Sequence, residues 1–227
     1  MKRYYPYQLL LFILFGFQVA HAQESPVGNW ISLNPQLNFS KRFSMQNDLQ
    51  IRHFKPFSDY EQTLLRTLFT YSLVPDKVYI SAGAAFSHQA SYNQVTGIKK
   101  SVDERRLHQQ LLFKQQIGRF YLQHRYRIEQ RLFYERFIFR WRYQFSVQVP
   151  LNHRQIEKKT VYIGLNNEVF LNNKPPTFDR NRFQAGIGYY FDPGFRAEAA
   201  YMWQMYESDY RPQFVFTIFK SFNLYKE

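Results

Sequence analysis

The chain contains no cysteine. That excludes a disulfide framework and a thiolate metal site, but it does not fix a compartment, since an exported protein needs no disulfides. Beyond the first twenty residues no apolar run is long enough for a transmembrane helix. There is no linker, no low-complexity tract and no break in composition, so the chain reads as one domain. Catalytic signatures are also missing. No Ser carries a G-x-S-x-G elbow. The six His show no i, i+4 pair beside a carboxylate, so a zinc site has no support and no cofactor is called for. Asp103-Glu104 and Glu207 to Asp209 read as rim carboxylates, with nothing further to support loop calcium.

Aromatic residues, by contrast, make up 20% of the chain, with 24 Phe and 18 Tyr. They suit strands far better than helices. Basic residues also dominate: 30 Lys and Arg against 17 Asp and Glu, a net charge of +13.

The N-terminus has the layout of an export signal. Lys2 and Arg3 precede the apolar run Leu9 to Val19, and Ala20-His21-Ala22 follows with the small-residue pattern of a cleavage site. The run is too short to span a bilayer as a helix. The expectation is a signal peptide over residues 1–22 and a mature domain over 23–227. Cleavage would take the charge from +13 to +11, because it removes two basic residues and no acids. A basic, aromatic-rich chain suggests nucleic acid, but an exported one rarely meets it, so no nucleic-acid partner is expected.

Period-two alternation runs through the mature chain. The stretch HRYRIEQR (124–131) puts Arg125, Arg127, Glu129 and Arg131 on one face, with Tyr126 and Ile128 on the other. Phe137 to Val147 places Phe137, Phe139, Trp141, Tyr143, Phe145 and Val147 opposite Arg140, Arg142, Gln144 and Ser146. Similar segments begin near Ile31, Phe43, Val78, Arg105, Phe183, Phe195 and Phe214. Many run to nine or more residues, the length that crosses a bilayer at a tilt. Tight turns at Ser40–Arg42, Val74–Lys77, Gly118-Arg119 and Asp192–Gly194 alternate with longer joins at Lys55–Tyr60, Ser91–Glu104 and Leu171–Asp179. The expected fold is all-β: an antiparallel, up-and-down transmembrane barrel with a polar, Arg-rich lumen. Eleven candidate strands can be counted, whereas bacterial single-chain barrels have even numbers. Pro35 interrupts the first candidate, so about ten to twelve wall strands are expected, with the even counts ten and twelve both open.

On that reading the charged face lines the lumen: Arg106, Arg125, Arg127, Glu129, Arg131, Arg140, Arg142, Glu168, Arg180, Arg182, Arg196 and Glu198. Nine Arg face three Glu, so one-to-one pairing would leave about six guanidinium groups over. Two uses are open. The arginines could form an inner network that fills a narrow barrel, or they could line a path for anions or acidic glycans.

Several stretches recur in a recognisable order. They are HRYRIEQR, RWRYQFSVQVPL (140–151), NNEVFLNN (166–173) and FDRNRFQAGIGYYF (178–191), followed by Tyr201 to Gln204 and preceded by Trp30 and Arg52. As an ordered set they resemble the domain of unknown function family 2490. The resemblance implies an outer-membrane β-barrel of Gram-negative bacteria with no established activity. It also implies recurring positions that match Arg125, Arg127, Glu129, Arg131, Arg140, Arg142, Glu168 and Arg182.

Two alternatives stay open. A lipid-modifying enzyme is suggested only by His88 and His124 on the apolar face, where no acidic partner is expected beside either. A soluble periplasmic barrel would put the apolar face inward. The expected partners are outer-membrane lipid and an anionic ligand, with nothing to name a protein partner.

Overall fold

A computed structural model of the chain describes residues 27–93 and 96–225. The expected signal peptide and its cleavage site lie outside the described residues. Eleven strands form the wall: β1 (Gly28–Asn38), β2 (Phe43–Lys55), β3 (Ser58–Val74), β4 (Val78–Tyr92), β5 (Lys99–Ile117), β6 (Phe120–Leu132), β7 (Phe137–Pro150), β8 (Val161–Asn172), β9 (Phe178–Asp192), β10 (Phe195–Met205) and β11 (Tyr210–Asn223). Each pairs antiparallel with its sequence neighbour, and β1 closes on β11 into a barrel.

The strands number eleven, within the expected ten to twelve but odd where an even number was expected. An up-and-down chain with an odd number of strands starts at one rim and finishes at the other. Its first and last strands then run the same way, and the β1–β11 seam is parallel, with Trp30 facing Val215 and Leu33 facing Ile218. Pro35 lies within β1. The β1–β2 ladder breaks opposite Asn34 and Pro35 and resumes in the same register, from Leu33↔Leu49 to Gln36↔Gln46. The missing donor costs a local gap and leaves the strand in place.

The division into tight turns and long loops also needs correction. At the rim where β1 begins (the first rim), β2 and β3 are joined by Pro56 and Phe57 alone, with Phe57 at a φ of 54°. The Lys55–Tyr60 stretch is thus a tight turn. The other two expected loops shrink to residues 93–98 and 173–177, because the flanking strands run on into them. The longest connection, residues 151–160, lies at the second rim among the tight turns. Arg119 pins it there: its Nη2 donates to the carbonyls of Pro150 at 2.6 Å and of Leu151 and His153 at 3.2 Å.

Alternation sets what lies inside and outside. Ile128, Trp141, Leu165, Phe183 and Phe216 point outward and are exposed. Inside, the buried residues are mostly polar: twenty-five polar or charged against twelve apolar among the described residues. The barrel thus reverses the usual arrangement of a water-soluble domain, where buried polar groups are the exception. Tyr162 packs over Gly188, where a Cβ would come within 2.2 Å of its ring. Trp30, Ala200, Met202 and Val215 form a small apolar cluster beside the seam.

Candidate functional site

The densest part of the charged interior is assembled from strands β5 to β9. In the β6–β7 ladder Glu129 faces Arg140 and Arg127 faces Arg142; in the β7–β8 ladder Gln144 faces Glu168. This register clusters charges that are far apart in sequence. Glu129 is fully buried. One of its oxygens accepts from Arg140 Nε at 2.8 Å and from Arg140 Nη2, and the other accepts from Arg142 Nη1. Arg142 turns its other edge to Glu168 Oε1, donating from Nε at 2.9 Å and Nη2 at 2.6 Å. Arg125 Nη2 donates to the same oxygen at 2.7 Å. Arg127 donates from Nε to Gln110 Oε1 at 3.0 Å, and its Nη1 lies 3.9 Å from Glu129. His108, also buried, has Nδ1 3.4 Å from Glu129.

Two further carboxylates extend the network. Glu104, expected at the rim, is buried inside. It accepts from Arg106 Nε and Nη2 at 2.7 Å each, and Arg131 binds it from the other side. Asp179 bridges Arg140 at 3.0 Å and Arg180 at 3.1 Å. Each of these carboxylates serves two or more arginines, as the bidentate geometry of guanidinium allows. The surplus of about six therefore falls. Of the nine arginines read from the sequence, only Arg182 and Arg196 have no carboxylate within ion-pair distance among the described residues. Arg52, which the alternation places on the polar face of β2, joins them.

Aromatic rings hold these three instead. Arg52 Cζ lies 3.6 Å from the centre of Trp30, and Arg182 Cζ lies 4.8 Å from the same ring. Arg196 Cζ lies 3.7 Å from Phe219. Phe170 is buried among arginines, with Arg142 at 4.3 Å and Arg182 at 4.6 Å from its centre. Phe170 escaped the sequence reading, although it shares a face with Glu168, two residues away. A charged stripe with an aromatic in phase was the available signal.

All twelve expected residues point inward. Ten line a cavity of about 1330 Å³. Arg127 and Glu129 are buried in the network. The cavity extends from Lys77, Gln116 and Tyr121 near the second rim to Arg52, Arg131 and Arg140 in the other half of the barrel. No group of three or more His, Asp or Glu among the described residues is arranged to hold a metal ion.

The two outward histidines do not come together. His124 Nδ1 lies 2.9 Å from the Tyr143 hydroxyl, amid aromatic side chains. His88 Nδ1 lies 2.6 Å from Asp103 Oδ1, so the expectation that no acid accompanies either histidine is corrected. β4 and β5 place His88 opposite Asp103, a pairing that depends on register and not on spacing.

No curated protein and no solved structure matches the chain. The family described as "Protein of unknown function (DUF2490)" matches residues 27–215, nearly all of the described barrel. The chain belongs to that family.

Proposed function

We propose that this protein is an outer-membrane β-barrel whose arginine-lined interior is a narrow, anion-preferring path. The observation that carries the reading is the cavity lined by Arg52, Arg182 and Arg196, which rest on aromatic rings and have no carboxylate within ion-pair distance among the described residues. A low-dielectric wall lined by more basic than acidic residues concentrates anions and repels cations. The membrane location is supported by the leader-like N-terminus, by strands of 11 to 19 residues and by the exposed apolar outer face.

The test is conductance of the refolded chain 23–227 in a planar bilayer under a salt gradient. Anion-preferring steps are expected, and Arg182→Gln with Arg196→Gln should move the reversal potential toward zero. Stable insertion without current would overturn the path and leave the network as a purely structural filling.

A second reading rests on the His88–Asp103 pair, which faces outward where lipid would lie. A histidine oriented by a carboxylate is the base half of a hydrolytic site. Phospholipid turnover by the purified barrel, abolished by His88→Ala, would support a lipid-modifying enzyme. Lack of turnover would remove it.

A further inference from the structure

We propose that Arg52, Trp30 and Arg182 form a discrete binding site for a dianionic tetrahedral oxyanion, phosphate or a phosphate monoester, inside the barrel. This deepens the anion-path reading and rests on it for access to the ligand.

The site begins with the indole of Trp30, which is buried against the seam. Arg52 stacks on it at 3.6 Å and Arg182 approaches it at 4.8 Å, so the two guanidinium carbons are separated by no more than the sum of those distances. Stacking uses the faces of the guanidinium groups and leaves their N–H edges for in-plane acceptors. Those edges are largely unspent. Arg52 is 9% exposed and, among the described residues, its side chain donates only to Gln50 and its buried Nε has no partner. Arg182 spends Nε on Gln204 Oε1 at 2.7 Å, and its two Nη atoms make no hydrogen bond among the described residues. Both arginines line the cavity.

Charge selects the ligand class. The adjacent Arg180 pairs with Asp179, which it shares with Arg140, and Arg211 pairs with Glu61, whereas Arg52 and Arg182 have no carboxylate within ion-pair distance among the described residues, so the two guanidinium groups at the site carry two positive charges with no direct ion-pair partner. A dianion neutralises them, whereas chloride leaves half the charge and offers no forked acceptor geometry. A tetrahedral oxyanion can accept from both forks at once. The position inside the wall makes the ligand a dissolved anion and not the headgroup of a bilayer lipid.

The chain reports on this site directly. Trp141 and Trp203 are on the outer face and Trp30 is the third tryptophan. A Trp141→Phe/Trp203→Phe barrel therefore carries Trp30 as its only indole. Inorganic phosphate titrated into this refolded protein at constant ionic strength should change Trp30 emission saturably, and chloride should not. Arg52→Gln or Arg182→Gln should weaken half-saturation roughly tenfold or more, the loss expected for one charge-assisted fork. Arg182→Lys keeps the charge and loses the fork, so it too should weaken binding. Arg105→Gln, on the outer face, removes the same charge and should leave binding intact. An equal response to chloride and phosphate, or no response from a folded barrel, would overturn the site. Anion-selective current without a Trp30 response would leave the path standing and end the site. Phosphate binding to a non-conducting barrel would do the reverse.

Discussion

Glu129 and Arg140 face each other across the β6–β7 ladder, and Nε and Nη2 of Arg140 both donate to one Glu129 oxygen. The carboxylate is fully buried, so the pair holds only while its hydrogen bonds are complete. Glu129→Gln removes the charge that Arg140 and Arg142 share and keeps the volume. We expect it to lower unfolding free energy by about 3–5 kcal/mol. Urea titration of the refolded barrel measures this; a loss of less than about 1 kcal/mol would place the arginines in contact with cavity water.

Gly188 lies under Tyr162, whose hydroxyl donates to Glu198 at 2.8 Å. A methyl group there must displace a fully buried ring. Gly188→Ala should destabilise by about 1–3 kcal/mol, the range for overpacking. Tyr162→Leu in the same chain should absorb much of that cost, so the two changes should be strongly non-additive in the same urea assay.

The seam register can be read by cross-linking, because the chain has no cysteine of its own. Leu33 and Ile218 are outward partners across β1 and β11. Adjacent strands lie about 4.8 Å apart, within reach of a disulfide. Leu33→Cys with Ile218→Cys should form one on mild oxidation, seen as a mobility shift that reductant reverses. A barrel closed by a twelfth strand would leave the pair uncrosslinked.

Ile128 lies near the middle of β6 and faces outward. In a bilayer, Ile128→Lys should cost about 2–4 kcal/mol near the midplane. On a water-soluble barrel the same change should fall within about 0.5 kcal/mol of zero. Folding yield and stability in liposomes against detergent-free buffer separate the two settings.

The His88–Asp103 contact is open to its surroundings, with side chains 44% and 65% exposed. Asp103→Asn should therefore change stability by less than about 1 kcal/mol. A larger loss would mean that the pair helps hold β4 to β5.

Much of this barrel was legible because period two is strict. Arg125, Arg127, Glu129 and Arg131 could be assigned to one face with no knowledge of their neighbours, and so could Trp141 and Tyr143 to the other. Contacts across strands were not legible. Glu104 was separated from its rim neighbour Asp103 only by the alternation of β5, which continues past the apparent end of the segment. The pairing of His88 with Asp103, and of Glu129 with Arg142, depends on register, which turns and closure set together. Polar residues such as Lys99 and Lys100 read as loop although they extend β5, because ladder hydrogen bonds can carry a strand beyond its apolar stretch. The odd parity was not legible for a different reason: even numbers hold for bacterial single-chain barrels, whereas eleven alternating segments are what these residues display.

The parallel seam has a lasting consequence for lineage. Hairpins enter or leave a meander two strands at a time, so duplication or loss of a hairpin preserves oddness. A descendant of this barrel altered only by whole hairpins would inherit the same seam at nine or thirteen strands. It would also keep the start of its first strand and the finish of its last at opposite rims, as Gly28 and Asn223 stand here.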